Sequence, residues 1–148
     1  MARRGILAYL AGFFDGEGCI SINRNLVLRL SVRNINQEVL KLCENQFGGY
    51  THKTTLHPKR TQSYSWTISG VGACYALIRI FPWLIIKKEE AKVAISLKSI
   101  INKNKMGRGK LPLNEVKIRR EARLKIFEIR SKNSPNRKFS LRKTDKRS

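Results

Sequence analysis

The stretch LAYLAGFFDGEGC, from Leu7 to Cys19, constrains the fold more strongly than any other part of the chain. Its apolar residues have helical spacing, and a helix that is apolar nearly all round is buried on more than one side. Ala8, Gly12 and Gly16 recur at every fourth residue, so one face of this helix consists of small residues. Such a row lets a second helix backbone approach closely. The sequence leaves open whether that second helix belongs to the same chain or to another copy.

The end of this helix carries two acidic residues, Asp15 and Glu17, each beside a glycine. Acids are electrostatically unfavourable there, because a helix C-terminus has partial negative charge and carbonyls without partners. The pattern therefore indicates a compensating cation. Carboxylate and carbonyl oxygens are hard ligands of the kind that Mg²⁺ prefers. The alternative is a glycine-rich helix end with solvated acids.

The charge balance of the chain is strongly one-sided. Its 148 residues include 31 Lys and Arg against 10 Asp and Glu, a formal net charge of +21. A field of this sign favours nucleic acid or another polyanion as the partner. More than half of the basic residues lie in the last third of the chain. Residues 131–148 have no helical or strand period, which predicts a flexible basic tail after a single domain at 1–130.

Cysteine usage and hydropathy narrow the class of protein further. The three cysteines have no paired spacing and there are only two histidines, so we expect reduced thiols and no zinc site. No apolar run reaches the roughly 18 residues of a membrane span, and the early acids argue against a signal peptide. These features favour an intracellular protein without a membrane partner, in the cytoplasm or nucleoid of a prokaryote, with an organelle as the open alternative.

Periodicity predicts an α+β fold with the element order α-β-β-α-β-β-α-α-α. Two hairpins would form a four-stranded antiparallel sheet with one face against the helices. Asn36 is the expected N-cap of the second helix, which Gly48-Gly49 ends. The predicted helices span 6–16, 36–47, 71–81, 87–102 and 113–130, and the predicted strands span 19–23, 26–33, 50–55 and 62–69.

The other face of this sheet is polar and basic, and we expect it to face a nucleic-acid groove rather than solvent, since β-ribbons can enter the major groove. Arg29 and Arg33 have the side chains that can read guanine with two hydrogen bonds. The candidate contacts on this face are Ser21, Asn23, Arg29, Ser31, Arg33, Ser63, Ser65 and Thr67.

The residues Leu10 to Gly18, LAGFFDGEG, resemble the signature of the LAGLIDADG homing endonucleases. The resemblance extends over the α-β-β-α-β-β-α order to about residue 103, and the last 45 residues match only loosely. Phe13 and Phe14 stand where the family has smaller aliphatic residues, and Glu17 replaces the final Asp. The LAGLIDADG endonuclease fold with extra C-terminal helices is therefore the expected fold.

The resemblance implies a homodimer, because family members with one motif pair their motif helices at a twofold axis. Ala8, Gly12 and Asp15 would lie at that interface, with Asp15 mainly structural. Glu17 would bind the metal, one from each subunit, and the carbonyl of Gly16 would be a second ligand. The implied cofactor is Mg²⁺, with Mn²⁺ as a possible substitute.

Other roles follow from the same resemblance. The active-site lysine of the family aligns best with Lys87, and Lys88 is the adjacent alternative. A residue that positions water aligns with Asn34 or, second, with Gln37, although Asn36 and Gln37 could simply cap the following helix. Further DNA contacts are expected at the hairpin tip, the third strand and the loop beyond it, namely Arg24, Asn25, Tyr50, His52, Thr54, Lys59 and Arg60.

The implied activity is intron homing, in which a Mg²⁺-dependent endonuclease cuts both strands of a long pseudo-palindromic DNA target and leaves 3′ overhangs. An archaeal or organellar rRNA intron is the expected source, and no small-molecule substrate is expected. Two alternatives remain open: a maturase of the same fold that binds intron RNA, and a small basic ribosomal or chromatin protein. The second leaves the acidic, glycine-rich helix end unexplained.

Overall fold

The computed structural model of the protein describes residues 3–54, 58–103 and 110–133. Within them, four strands form one antiparallel sheet in the order β1-β2-β4-β3. The two hairpins pair β1 with β2 and β3 with β4, and β2 joins them by pairing with β4. This arrangement confirms the predicted sheet. The strands are β1 (Gly18–Ile22), β2 (Leu28–Asn34), β3 (Tyr50–Lys53) and β4 (Tyr64–Ser69).

Helices pack against one face of the sheet, and the core lies between the two layers. Every second residue of the two strands is buried, as alternation predicts. These residues are Ile20 and Ile22 in β1 and Leu28, Leu30 and Val32 in β2. The helices are α1 (Arg3–Glu17), α2 (Gln37–Phe47), α3 (Gly70–Ile80), α4 (Lys88–Ile95), α5 (Lys98–Lys103) and α6 (Leu113–Asn133), and a 3-10 turn covers Phe81–Trp83. The predicted α+β class and element order are confirmed, with one helix divided in two.

Two predicted helix boundaries are confirmed in atomic detail. Asn36 caps α2, since its side-chain oxygen accepts a hydrogen bond from the Glu38 amide at 2.8 Å. At the other end Gly48 and Gly49 adopt φ values of 82° and 80°. This left-handed backbone is favourable for glycine and reverses the chain into β3.

The structure corrects the start of the second strand and the continuity of the helix predicted over 87–102. Leu26 was expected to begin the second strand, but it has a φ of 63° and lies in the turn, so β2 begins at Leu28. The helix predicted over 87–102 is interrupted at Ser96 and Leu97. There the Leu97 amide donates to the Ala94 carbonyl, three residues back, which tightens the backbone and ends α4.

The last helix buries a different face from the one its apolar residues indicated. Val116, Leu124, Phe127 and Ile129 were the expected apolar positions, yet Leu124 is 47% exposed. The buried residues are Arg119, Ala122 and Ile126, spaced by three and four. The helix also continues to Asn133, three residues into the predicted tail, and residues 134–148 lie outside the described ranges.

None of the described helices combines the length and the apolar character needed to cross a membrane.

Candidate active site at the end of helix α1

Helix α1 has one buried face and one open face. Leu10, Ala11 and Phe14 are buried against the core. Gly12 and Gly16 lie on the exposed side, and a Cβ atom built on either would meet no described atom within 4 Å. At these two positions of the small-residue row, no described part of the chain covers the helix.

The Asp15 carboxylate holds the segment that precedes α4. Its Oδ2 accepts hydrogen bonds from the Ile85 amide at 2.7 Å and the Ile86 amide at 3.2 Å, and its Oδ1 accepts one from the Lys87 amide at 3.0 Å. Asp15 itself is 7% exposed. The unfavourable acid at the helix end is thus explained by three backbone donors. Its side chain therefore has a structural role within its own chain, and its expected place at a dimer interface stays a prediction.

The same contact brings Lys87 to the end of α1. The Lys87 Nζ donates a hydrogen bond to the Asp15 carbonyl at 2.5 Å. The alternative lysine, Lys88, instead places its Nζ 5.5 Å from the centre of the Phe81 ring. Lys87, unlike Lys88, therefore contacts the end of α1.

Glu17 is the last residue of α1, and its exposed carboxylate makes no hydrogen bond or ion pair with any described residue. Gly16, also exposed, precedes it. A free carboxylate next to an accessible backbone carbonyl forms a pair of hard oxygen ligands that fits Mg²⁺ or Mn²⁺. Over the described ranges, no group of three or more His, Cys, Asp and Glu could hold a metal ion.

The two candidates for positioning water lie at the end of β2. Helix α1 ends at Glu17, and the next residue, Gly18, pairs with Val32 of β2. The residues that follow Val32 therefore lie near the end of α1. The Asn34 Oδ1 accepts a hydrogen bond from the Asn36 amide at 2.8 Å, which leaves its amide N–H groups available. Gln37 is exposed at the first position of α2. The Asn34 side chain thus takes part in the turn before α2, and its role in positioning water stays a prediction.

A buried ion pair lies behind the site, and sequence reasoning missed it. Glu90 is 5% exposed, and its Oε1 lies 3.4 Å from Nε of Arg130, whose Nη2 contacts the Cys19 Sγ at 3.6 Å. The other oxygen, Oε2, has no partner among the described residues. Burial raises the pKa of Glu90, and the charges of Arg130 and Lys87 oppose that rise. The sequence signal for its burial was that Glu90 directly precedes Ala91, which together with Ala94 supplies the small apolar residues on the buried side of α4.

We predict that Glu90 makes stability fall as the pH rises. Its pKa in the folded protein lies above the ordinary value of 4.5, so the folded state binds more protons once the pH exceeds that value. Glu90→Gln cannot ionise, so the variant should lose this contribution. Urea unfolding of both proteins from pH 4.5 to pH 7 measures it. The wild type should lose stability relative to the variant across this window, and parallel curves would refute the assignment.

The sheet face opposite the helices carries the predicted polar residues in register. Ser31 pairs with Cys19 and Thr67, and Arg33 pairs with Ser65, which in turn pairs with His52. Cross-strand partners share a face, so the two hairpins form one continuous surface. The remaining predicted contacts on that surface or at its ends are half-buried or exposed, namely Ser21, Arg24, Asn25, Arg29, Tyr50, Thr54, Lys59, Arg60 and Ser63.

Two of the predicted contacts, Ser65 and Thr67, are buried, and a third, Asn23, also takes part in the hairpin turn. Thr67 is 1% exposed and its Oγ1 accepts a hydrogen bond from Arg29 Nη2 at 3.4 Å, so it supports Arg29 and cannot reach DNA directly. Ser65 is 8% exposed and therefore also buried. Asn23 uses its Oδ1 to accept from the Val27 amide at 3.0 Å, which stabilises the hairpin turn.

The sheet, with a helix that ends in Asp15-Gly16-Glu17, defines the fold of the LAGLIDADG homing endonucleases, and the predicted fold is confirmed. One similar structure is the homing endonuclease I-CvuI in complex with its target in the presence of 2 mM Ca, with 22% identity, coverage of 93% of this chain and 87% of the other, and a TM-score of 0.65. A second is the archaeal intron-encoded homing endonuclease I-Vdi141I complexed with DNA, with 17% identity, coverage of 96% and 90%, and a TM-score of 0.68. A third, the homing endonuclease I-TnaI, has 19% identity, coverage of 85% and 86%, and a TM-score of 0.54.

No protein-family model matches the chain, and no curated protein is significantly similar to it in sequence. At the identities found, the likeness to these structures establishes the fold.

Proposed function

We propose that the protein is a LAGLIDADG homing endonuclease that cuts double-stranded DNA at a specific site with the help of a divalent cation. The observation that carries the proposal is the unpaired Glu17 carboxylate at the end of α1, where the Lys87 ammonium also binds. The polar sheet face with Arg29 and Arg33 begins at the same end. Two of the structures with this fold are DNA complexes, which supports DNA as the partner.

The residues of the site have distinct roles in this proposal. Glu17 and the carbonyl of Gly16 would hold Mg²⁺, or Mn²⁺ in its place, which when bound polarises the scissile phosphate and lowers the pKa of a water molecule. Lys87 stabilises negative charge that develops on the phosphate. Asn34 orients the attacking water through its free amide N–H groups, and Gln37 is the second choice for this role. The products would have 3′ overhangs.

The proposal includes a homodimer. Each chain has a single Glu17, and cleavage of both DNA strands requires two acidic sites. The uncovered side of α1, with Ala8 half-buried and Gly12 exposed, allows a second α1 to approach closely. A twofold dimer would recognise a pseudo-palindromic target, because its two sheets are related by the same symmetry.

We predict that Gly12→Phe abolishes the dimer without disturbing the fold of the monomer. The new side chain enters open space within its own chain, but it would overlap the partner helix. The dissociation constant of the dimer, measured by sedimentation equilibrium, should rise at least about 100-fold. Gly12→Ala is the matched control, since it keeps the face small and should remain dimeric. An undiminished dimer in the Phe variant would place the interface elsewhere.

We predict that Lys87→Met lowers the rate of cleavage far more than Lys88→Met. Both variants lose one positive charge, but only Lys87 contacts the end of α1. A charge that stabilises the transition state is worth about 100-fold or more in rate. Single-turnover cleavage of the target distinguishes the two variants. Equal losses would mean that the lysines act only through the overall charge of the protein.

The proposed function is tested by incubating the purified protein with plasmids that carry an intronless rRNA gene, with and without Mg²⁺. We expect linear products of defined length that require the metal. The ends should show 3′ overhangs when sequenced. Tight binding to intron RNA with no cutting of any DNA would instead support the maturase, and binding without sequence preference would support a ribosomal or chromatin role.

A further inference from the structure

The tip of the β1–β2 hairpin is held in a conformation that its own sequence does not favour. The Asn23 amide donates to the Val27 carbonyl at 3.0 Å, and the Leu26 amide donates to the Asn23 carbonyl at 2.9 Å. To close this turn, Leu26 adopts a φ of 63°, in the left-handed region that a leucine rarely occupies. The Asn23 side chain and the packing of Leu26 against the core oppose this cost, and contacts from α6 add to them.

Two arginines of α6 bind the backbone on either side of this turn. Arg119 Nη1 donates to the Leu26 carbonyl at 2.9 Å, and Arg123 Nε donates to the Ile22 carbonyl at 3.0 Å. These carbonyls mark the end of β1 and the strained residue itself. Helix α6 thus lies along β1, an edge strand of the sheet. Its arginines stabilise the hairpin through hydrogen bonds that are not part of the strand pairing.

Arg119 is the more unusual of the two. It is 7% exposed, and its Nε has no hydrogen-bond partner in the described part of the chain. No ion pair with a carboxylate is found for it there. A buried guanidinium with so few hydrogen-bond and ion-pair partners does not recover the cost of its desolvation, so it contributes little to stability by itself. Its hydrogen bond instead fixes the carbonyl of a leucine in the left-handed conformation.

We infer that Arg119 is a positioning residue for DNA recognition, which presets the hairpin tip so that Arg24 and Asn25 meet base edges in the outer part of each half-site. Both side chains are exposed at that tip, next to the residue that Arg119 holds. A preset tip loses less conformational entropy on binding and discriminates more sharply between bases. The inference rests on the proposed function, because it assigns a task within DNA binding.

The matched pair of variants is Arg119→Met and Arg120→Met. Each removes one positive charge from α6, but Arg120 is exposed. In the free protein, amide hydrogen exchange should accelerate about tenfold or more at Leu26 and Val27 in Arg119→Met, and should not change in Arg120→Met. This first measurement requires no DNA, so it stays informative even if the protein cuts none.

The second measurement is discrimination between DNA targets with single base changes. Arg119→Met should lose about tenfold in discrimination at outer base pairs and little at central ones, whereas Arg120→Met should weaken all targets equally. Unchanged exchange at the tip, or equal loss of discrimination at central and outer positions, would overturn the inference.

A rescue experiment separates positioning from general destabilisation. Leu26→Gly removes the penalty of the left-handed conformation, so the tip should need Arg119 less. We expect Arg119→Met to accelerate exchange at Val27 several-fold less in the Leu26→Gly background than in the wild type. If Arg119→Met fails to fold, Arg119→Lys, which keeps a charged donor, takes its place in the same comparison. An identical effect of either substitution in both backgrounds would contradict the role.

Discussion

Glu17→Gln should abolish DNA cleavage while DNA affinity stays within about threefold of the wild type. The substitution keeps the shape of the side chain and removes the negative charge that a divalent cation requires. Because Glu17 makes no hydrogen bond or ion pair with a described residue, the fold does not depend on its carboxylate. We expect a rate loss of about 1,000-fold or more in single-turnover cleavage with Mg²⁺.

Glu121→Gln is the control for this experiment, since it removes the same charge from an exposed position on α6. It should cut at the wild-type rate. Binding is measured separately, in Ca²⁺, by titration of labelled target DNA. If Glu17→Gln cut at the wild-type rate, the metal would have to be held elsewhere. A large loss of affinity for DNA would mean that Glu17 acts in binding and not in chemistry.

Asp15→Asn should lower both stability and cleavage. The carboxylate accepts three backbone hydrogen bonds from Ile85, Ile86 and Lys87. An amide has one oxygen, so in either orientation its NH₂ group would face at least one of these N–H donors. The loss of charged hydrogen bonds in a buried place should cost about 2–4 kcal/mol. For a chain of this size that corresponds to a fall in Tm of about 5–15 °C.

The matched control for Asp15→Asn is Glu89→Gln, which removes an acid from the first turn of α4 where its side chain is 67% exposed. Exposed ion pairs such as that of Glu89 with Lys92 contribute little, so its stability should change by less than about 1 kcal/mol. Cleavage by Asp15→Asn, assayed well below its Tm, should still be slow because Lys87 loses its fixed place. A variant as stable as the wild type would contradict the role assigned to Asp15.

The structural features that depend on neighbouring residues could be predicted from the sequence. The alternation in β1 and β2, the Asn36 cap and the glycines after α2 each act within a few residues, so the elements and their order could be predicted. The helix that ends in Asp15-Gly16-Glu17 is also a local pattern. Its combination of small residues and acids was specific enough to predict the fold.

Contacts between distant segments were not readable. The partners of Asp15 follow it by about seventy residues, and nothing near Asp15 indicates them. Arg119 is a basic residue in a basic helix, which favours an exposed position, yet the structure buries it against the hairpin. The spacing of Arg119, Ala122 and Ile126 was a weak signal that the apolar residues of α6 obscured.

The sequence by itself therefore determined the element order, the layer of the sheet that faces the helices, and the exposed acid Glu17, because each follows from periodicity or from a local motif. Only the tertiary structure decided that Lys87, and not Lys88, binds the Asp15 carbonyl at the end of α1. It alone decided that the buried Thr67 supports Arg29 and that α6 holds the hairpin tip. The physical reason is that these contacts arise where separate elements pack, and the direction of a side chain there depends on neighbours far away in the chain.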